Sequence, residues 1–162
     1  MKQKLITSLF AITLIASVAA ADHRGGPEGA PVIVGADGTV YVTHTTVDTS
    51  TRTATTQITA ISGAGATKWT ATLTNAGHLV LSGGNLLTVS DTRASDGTVT
   101  STLTAISAAT GATAWSKSVA GMIAELVPFN GGTYAVVVVP ASATRSLVAL
   151  DNSGNTLWTV SI

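Results

Sequence analysis

Eight carboxylates and three histidines are the side chains through which this 162-residue chain could do chemistry, because it contains no cysteine to act as nucleophile or thiolate ligand. The acids are Asp22, Glu28, Asp37, Asp48, Asp91, Asp96, Glu125 and Asp151. Asp37, Asp96 and Asp151 each stand beside glycine or asparagine, the setting in which a short carboxylate accepts hydrogen bonds from the N–H groups of its own turn. Asp48 and Asp91 fall in comparable positions, but the matching stretch further on, Ala141 to Thr144, has no acid. Glu125 stands alone in an apolar neighbourhood, a weak catalytic signal. His23, His44 and His78 lie far apart, with no second ligand at metal-binding spacing. No Gly-x-Ser-x-Gly elbow, phosphate loop or paired zinc-ligand motif is present. The expectation is no catalytic residue, no metal and no cofactor.

Composition narrows the function classes further. Only 10% of the residues are charged, against about 25% in an ordinary soluble domain. Eight basic residues balance eight acidic ones, leaving no basic field for nucleic acid. Uncharged polar groups must cover the surface instead, and 28 threonines and 15 serines supply them. Lys2 and Lys4, the apolar run from Leu5 to Ala16 and the small residues Ser17 to Ala21 match a secretory signal peptide cut after Ala20 or Ala21. The run is shorter than the roughly 20 residues a membrane-spanning helix needs. Residues 1–21 are therefore predicted to be a leader and 22–30 a flexible mature N-terminus. The remainder is expected to be secreted or periplasmic, with no integral membrane segment.

The remaining residues repeat. Three apolar cores, Ile58-Thr59-Ala60-Ile61, Leu103-Thr104-Ala105-Ile106 and Leu147-Val148-Ala149-Leu150, each precede a glycine turn and a tryptophan. The turn glycine always lies four residues before the tryptophan: Gly65 and Trp69, Gly111 and Trp115, Gly154 and Trp158. An upstream turn glycine precedes the tryptophan by 31 residues in the first two copies, Gly38 and Gly84, and by 26 in the third, Gly132. The tryptophans are 46 and 43 residues apart, a period found in propellers.

Each copy predicts four short antiparallel strands, in the first near 31–34, 39–47, 56–62 and 66–73. Asp37-Gly38 and Gly63-Ala64-Gly65 supply hairpin turns, and the seven threonines between Thr45 and Thr56 suit a solvated hairpin. Val32-Ile33-Val34 and Val136 to Val139 are continuously apolar, as in strands covered on both faces. The fold class is all-β: three four-stranded antiparallel blades of a β-propeller, spanning about 31–74, 75–120 and 121–162, partial or completed by oligomerisation.

The signature, with Asp37-Gly38-Thr39-Val40-Tyr41-Val42 upstream and Leu147 to Asp151 followed by Gly154 and Trp158, resembles the pyrroloquinoline-quinone-type β-propeller repeat. That resemblance implies that Ala60, Ala105, Ala149, Trp69, Trp115 and Trp158 pack blade on blade. Some members of that family are quinone-dependent dehydrogenases of about eight blades, and many others bind no quinone and act as interaction scaffolds. Three repeats carry over no quinone site.

Propellers close with about four to eight blades. Three would leave a blade face uncovered at the first and the third repeat. A homodimer making six blades, docking against another protein's repeats, or a place within a longer propeller would each cover them. The expected function is a non-enzymatic exported scaffold that binds a protein partner or itself. The alternatives are a surface protein assembling through its blade faces and a remnant of a quinone-dependent oxidoreductase.

Overall fold

Threonine, valine and isoleucine fill the segments between glycine turns, and β-branched side chains suit a pleated, half-buried strand. The computed structural model describes residues 32–162, and the predicted leader and N-terminal segment, with Asp22, His23 and Glu28, lie outside them. Twelve strands form in this part of the chain. The first blade holds β1 (Val32–Val34), β2 (Val40–Asp48), β3 (Thr53–Ile61) and β4 (Thr67–Thr74). The second holds β5 (Leu79–Ser82), β6 (Asn85–Arg93), β7 (Val99–Ser107) and β8 (Thr113–Ala120). The third holds β9 (Met122–Phe129), β10 (Gly132–Val139), β11 (Thr144–Asp151) and β12 (Thr156–Ser161). Each sheet is an antiparallel meander of four consecutive strands, and no blade borrows a strand from another. The fold is all-β, a run of three propeller blades.

Register explains the repeating signature. Ala60, Ala105 and Ala149 pair across the sheet with Trp69, Trp115 and Trp158, and in every blade the register shifts immediately after that alanine. The repeated bulge bends the third strand at the point where the turn carries the chain into the fourth. Its tryptophan stays on the alanine's face, where a small partner leaves space for the indole.

The core lies between blades. One buried cluster joins Tyr41, Ile58 and Ala60 of blade 1 to Leu86, Ile106 and Ala108 of blade 2, with Ile33, Trp69, Leu79 and Leu81 packed around it. The other joins Leu87, Leu103 and Ala105 of blade 2 to Ile123, Ala135, Val137 and Leu150 of blade 3, with Trp115 alongside. Because alternate residues of a strand face opposite ways, every blade has two distinct faces. The trailing face carries the tryptophan, and the leading face receives the preceding blade.

Hydroxyl groups take over tasks that charges perform elsewhere. Between blades 2 and 3, Ser82 Oγ donates to the Gly132 carbonyl at 2.7 Å and accepts from Thr133 Oγ at 2.8 Å. Ser101 Oγ donates to Asp91 at 2.5 Å and accepts from the Ile123 N–H at 2.9 Å. Among the described residues no buried side-chain polar atom lacks a partner. Such groups are satisfied without the desolvation penalty that buried ions carry.

Two expectations need correction. Val32 and Val34 are 60% and 63% exposed, so β1 is not covered on both faces. Val137 is buried, but Val136, Val138 and Val139 are only half-buried. The cause is position in the stack. Blade 1 is covered on its trailing face and blade 3 on its leading face, and no described residue covers the other face of either.

Glycine seats test this architecture. Gly65, Gly111 and Gly154 all have φ between 76° and 83°, so alanine at any of them carries backbone strain of roughly 1 kcal/mol. A Cβ at Gly111 would stand 2.6 Å from the Trp69 ring, and one at Gly154 2.7 Å from Trp115, whereas one at Gly65 meets nothing within 4 Å. Overpacking should add about 1–3 kcal/mol at the two occupied seats alone. Chemical denaturation at high dilution should rank Gly111→Ala and Gly154→Ala well below Gly65→Ala in stability, and equal losses would refute the seat.

Candidate functional site

Docking between blades is a two-part contact. The Trp69 indole lies against Gly111, and its N–H donates to the Ala108 carbonyl at 3.0 Å. The Trp115 indole lies against Gly154, and its N–H donates to the Asn152 carbonyl at 2.8 Å. Ala108 and Asn152 are equivalent, each standing two residues beyond the residue at the register shift, Ile106 and Leu150. Only a residue without a side chain permits the ring to approach this closely, and both seats hold a left-handed φ that side-chain-bearing residues rarely adopt. The same acceptor serves other donors: the Tyr41 hydroxyl reaches Ala108 at 3.1 Å, and the Asn85 amide reaches Asn152 at 3.1 Å. Lys117 Nζ adds bonds of 3.0 Å to the Gly154 carbonyl and to Thr156 Oγ.

At the two ends of the stack the same parts stand unused. Trp158 is 43% exposed, and no described residue seats it. It nevertheless sits 5.6 Å from the Tyr134 ring at a 40° tilt, while the docked pair Tyr41 and Trp69 has a spacing of 5.8 Å and the same tilt. Around it on the trailing face, Val127, Val160 and Ile162 are exposed. Blade 1 presents the complement: the open seat at Gly65, the exposed Val32 and Val34, and half-buried Val40 and Ile61. The two faces thus expose apolar side chains side by side where the inner blades bury theirs.

The carboxylates serve their own turns. Asp37 accepts from the Thr39 N–H and hydroxyl at 3.0 and 2.8 Å, with Lys68 Nζ at 3.4 Å. Asp96 accepts from the Thr98 N–H at 2.8 Å. Asp151 accepts from Ser153 N–H, Asn155 N–H and the Asn155 amide at 2.8–3.0 Å. Asp48 does likewise with Ser50 N–H and hydroxyl at 2.8 and 2.6 Å. In all four these donors hold the carboxyl below its ordinary value of 3.8. Burial pushes the Tyr41 phenol up. Glu125 is exposed on the edge strand β9, where the register sets it opposite Val136 on the open trailing face of blade 3 that also carries Val127. His44 on β2 and His78 before β5 are both exposed and belong to different blades. Among the described residues no three His, Asp or Glu side chains are grouped to hold a metal ion. No described helix is long and apolar enough to cross a membrane.

A family model described as outer membrane protein assembly factor BamB matches residues 54–162, a stretch that begins in β3 and includes all three tryptophans. The chain belongs to this family. Among solved structures, this BamB-like chain is similar to the β-propeller domain of the Trilobed protease from Pyrococcus furiosus, described as having an open velcro topology, with 13% identity and a TM-score of 0.55. That match covers 83% of this chain and 43% of the other. BamB from Moraxella catarrhalis aligns at 18% identity and a TM-score of 0.44, over 80% of this chain and 47% of that one. The BamB-like chain thus spans less than half the length of either structure. No curated protein sequence matches it.

Tyr134, Lys117 and the carbonyl acceptors drew no notice in the sequence. Tyrosine was legible in principle, since Tyr41 and Tyr134 both pair across the sheet with a signature alanine. A carbonyl acceptor leaves no mark on residue type, and Ala108 and Asn152 share none.

The turn carboxylates set an acid limit. Their folded pKa values lie below the unfolded value, so the stability they contribute is complete above about pH 4 and is lost as pH falls through the lowered values. Denaturation midpoints should stay level from about pH 7 to 5 and fall toward pH 2. Asp48→Asn and Asp151→Asn, which keep one acceptor oxygen, should flatten that fall. An unchanged acid slope in the double variant would count against the turn bonds as its source.

Proposed function

We propose that this BamB-like chain is an exported, non-enzymatic scaffold that binds protein through its propeller blades. The single observation behind this reading is the pair of apolar blade faces that no described residue covers, on a chain whose family is described as an assembly factor. The turn carboxylates accord with it, because each is held by its own backbone and not aimed at a common point. Residues 1–21 act as the leader that delivers the chain to the periplasm or the medium. A surface protein that builds a repeating assembly is the second reading, favoured by the unlike chemistry of the two open faces, since unlike faces join head to tail.

Two measurements address the proposal. Expression of the full sequence in a Gram-negative host should yield an exported protein shortened by 20 or 21 residues in intact-mass analysis, whereas a full-length cytoplasmic product would overturn export. Crosslinking in that compartment should capture discrete protein partners, lost in the face variants Val34→Glu and Val160→Glu. Crosslinks indifferent to both substitutions would place binding elsewhere and overturn the scaffold reading of these faces.

A further inference from the structure

We propose that the occupant of each open face is the opposite open face of a second copy of this chain, so that two chains close a six-bladed ring. The inference takes from the scaffold reading that the open faces are interaction surfaces, and it names what binds them.

The chain already contains this interface twice. Trailing face meets leading face between blades 1 and 2 and again between blades 2 and 3, each time with an indole on a glycine and an indole N–H on a carbonyl. The unused trailing face of blade 3 has every part in place. Trp158 stands over Ala149 and beside Tyr134 as Trp69 stands over Ala60 and beside Tyr41. The unused leading face of blade 1 has the matching parts. Gly65 holds φ +83° over open space, as Gly111 and Gly154 hold φ +76° and +81° under their indoles. Gly63 stands two residues beyond Ile61, the register-shift residue of blade 1, and so its carbonyl is the counterpart of those of Ala108 and Asn152. Val34 and Val32 pair with Val40 and Val42 as Leu81 and Leu79 pair with Leu86 and Thr88, and Leu79, Leu81 and Leu86 belong to the cluster between blades 1 and 2. Seating Trp158 of one copy on Gly65 of the other would place its N–H, and the Tyr134 hydroxyl, at Gly63.

Closure follows from number. The contact is head to tail, so it either closes or propagates. Two copies of the three described blades give six, inside the range of about four to eight in which propellers close, and both copies then bury both faces.

Light scattering on the purified protein should return twice the chain mass at micromolar concentration. Gly65→Ala, which fills the seat without touching any other described residue, and Val34→Glu on the same face should give monomers with a wild-type circular dichroism spectrum, as should Val160→Glu on the opposite face. The deciding step is mixing. A Val34→Glu chain still offers an intact trailing face and a Val160→Glu chain an intact leading face, so the mixture regains one good contact and a heterodimer, although neither variant pairs alone. A wild-type monomer, larger open-ended species, or a mixture that stays monomeric would each overturn the ring. A monomer that still crosslinks to another protein would sink this inference and leave the scaffold reading standing. A dimer with no further partner would do the reverse.

Discussion

The structure depends on how closely an indole ring can approach a backbone. At Gly111 and Gly154 the ring occupies the space where any other residue would carry its Cβ, and the carbonyl beside it takes the indole N–H. One contact therefore joins apolar burial, worth roughly 1.5–3 kcal/mol for a large side chain, to a hydrogen bond worth about 1 kcal/mol net. The acceptor and the glycine both lie in the short turn that follows the bulge. Blades that share no strand are held in sequence by this device and by the apolar clusters around it.

A stack built in this way has no natural end. Each blade is complete in its hydrogen bonding and incomplete in its burial, so every blade offers a trailing face and requires something for its leading face. Repeat architectures share this property: stability resides in nearest-neighbour interfaces, and terminal units differ in what they expose. Here the first and third described blades do not differ from the second in sequence character. Blade 3 retains its tryptophan and blade 1 its glycine seat, each without a described partner.

The shortage of charge belongs to the same logic. At the polar points between blades serine and threonine hydroxyls do most of the work with small groups that both donate and accept, and Lys117 is the charged side chain that joins them, bonding to Gly154 and Thr156 across blades 2 and 3. Four acids serve as turn braces: Asp37 holds the N–H and hydroxyl of Thr39, Asp48 holds Ser50 and Thr51, Asp96 the Thr98 N–H, and Asp151 Ser153 and Asn155. A carboxylate so occupied spends its acceptor capacity on the backbone and side-chain donors of its own turn.

Much of this was legible in the residues alone. Period, glycine turns and β-branched content determined an all-β run of three four-stranded units, because strand alternation and turn chemistry are local. The alanine and tryptophan positions were also visible, since repetition exposes any position held to one size. Two things were decided only in three dimensions. A run such as Val32-Ile33-Val34 is apolar whichever of its faces is covered, and only the arrangement of blades leaves Val32 and Val34 open while Ile33 packs inward. The seats and acceptors, Gly63 and Gly65 on one end and Trp158 with Tyr134 on the other, acquire meaning only by superposition on their occupied counterparts. Backbone carbonyls carry no residue signature, so only the folded turn shows which of them takes an indole N–H.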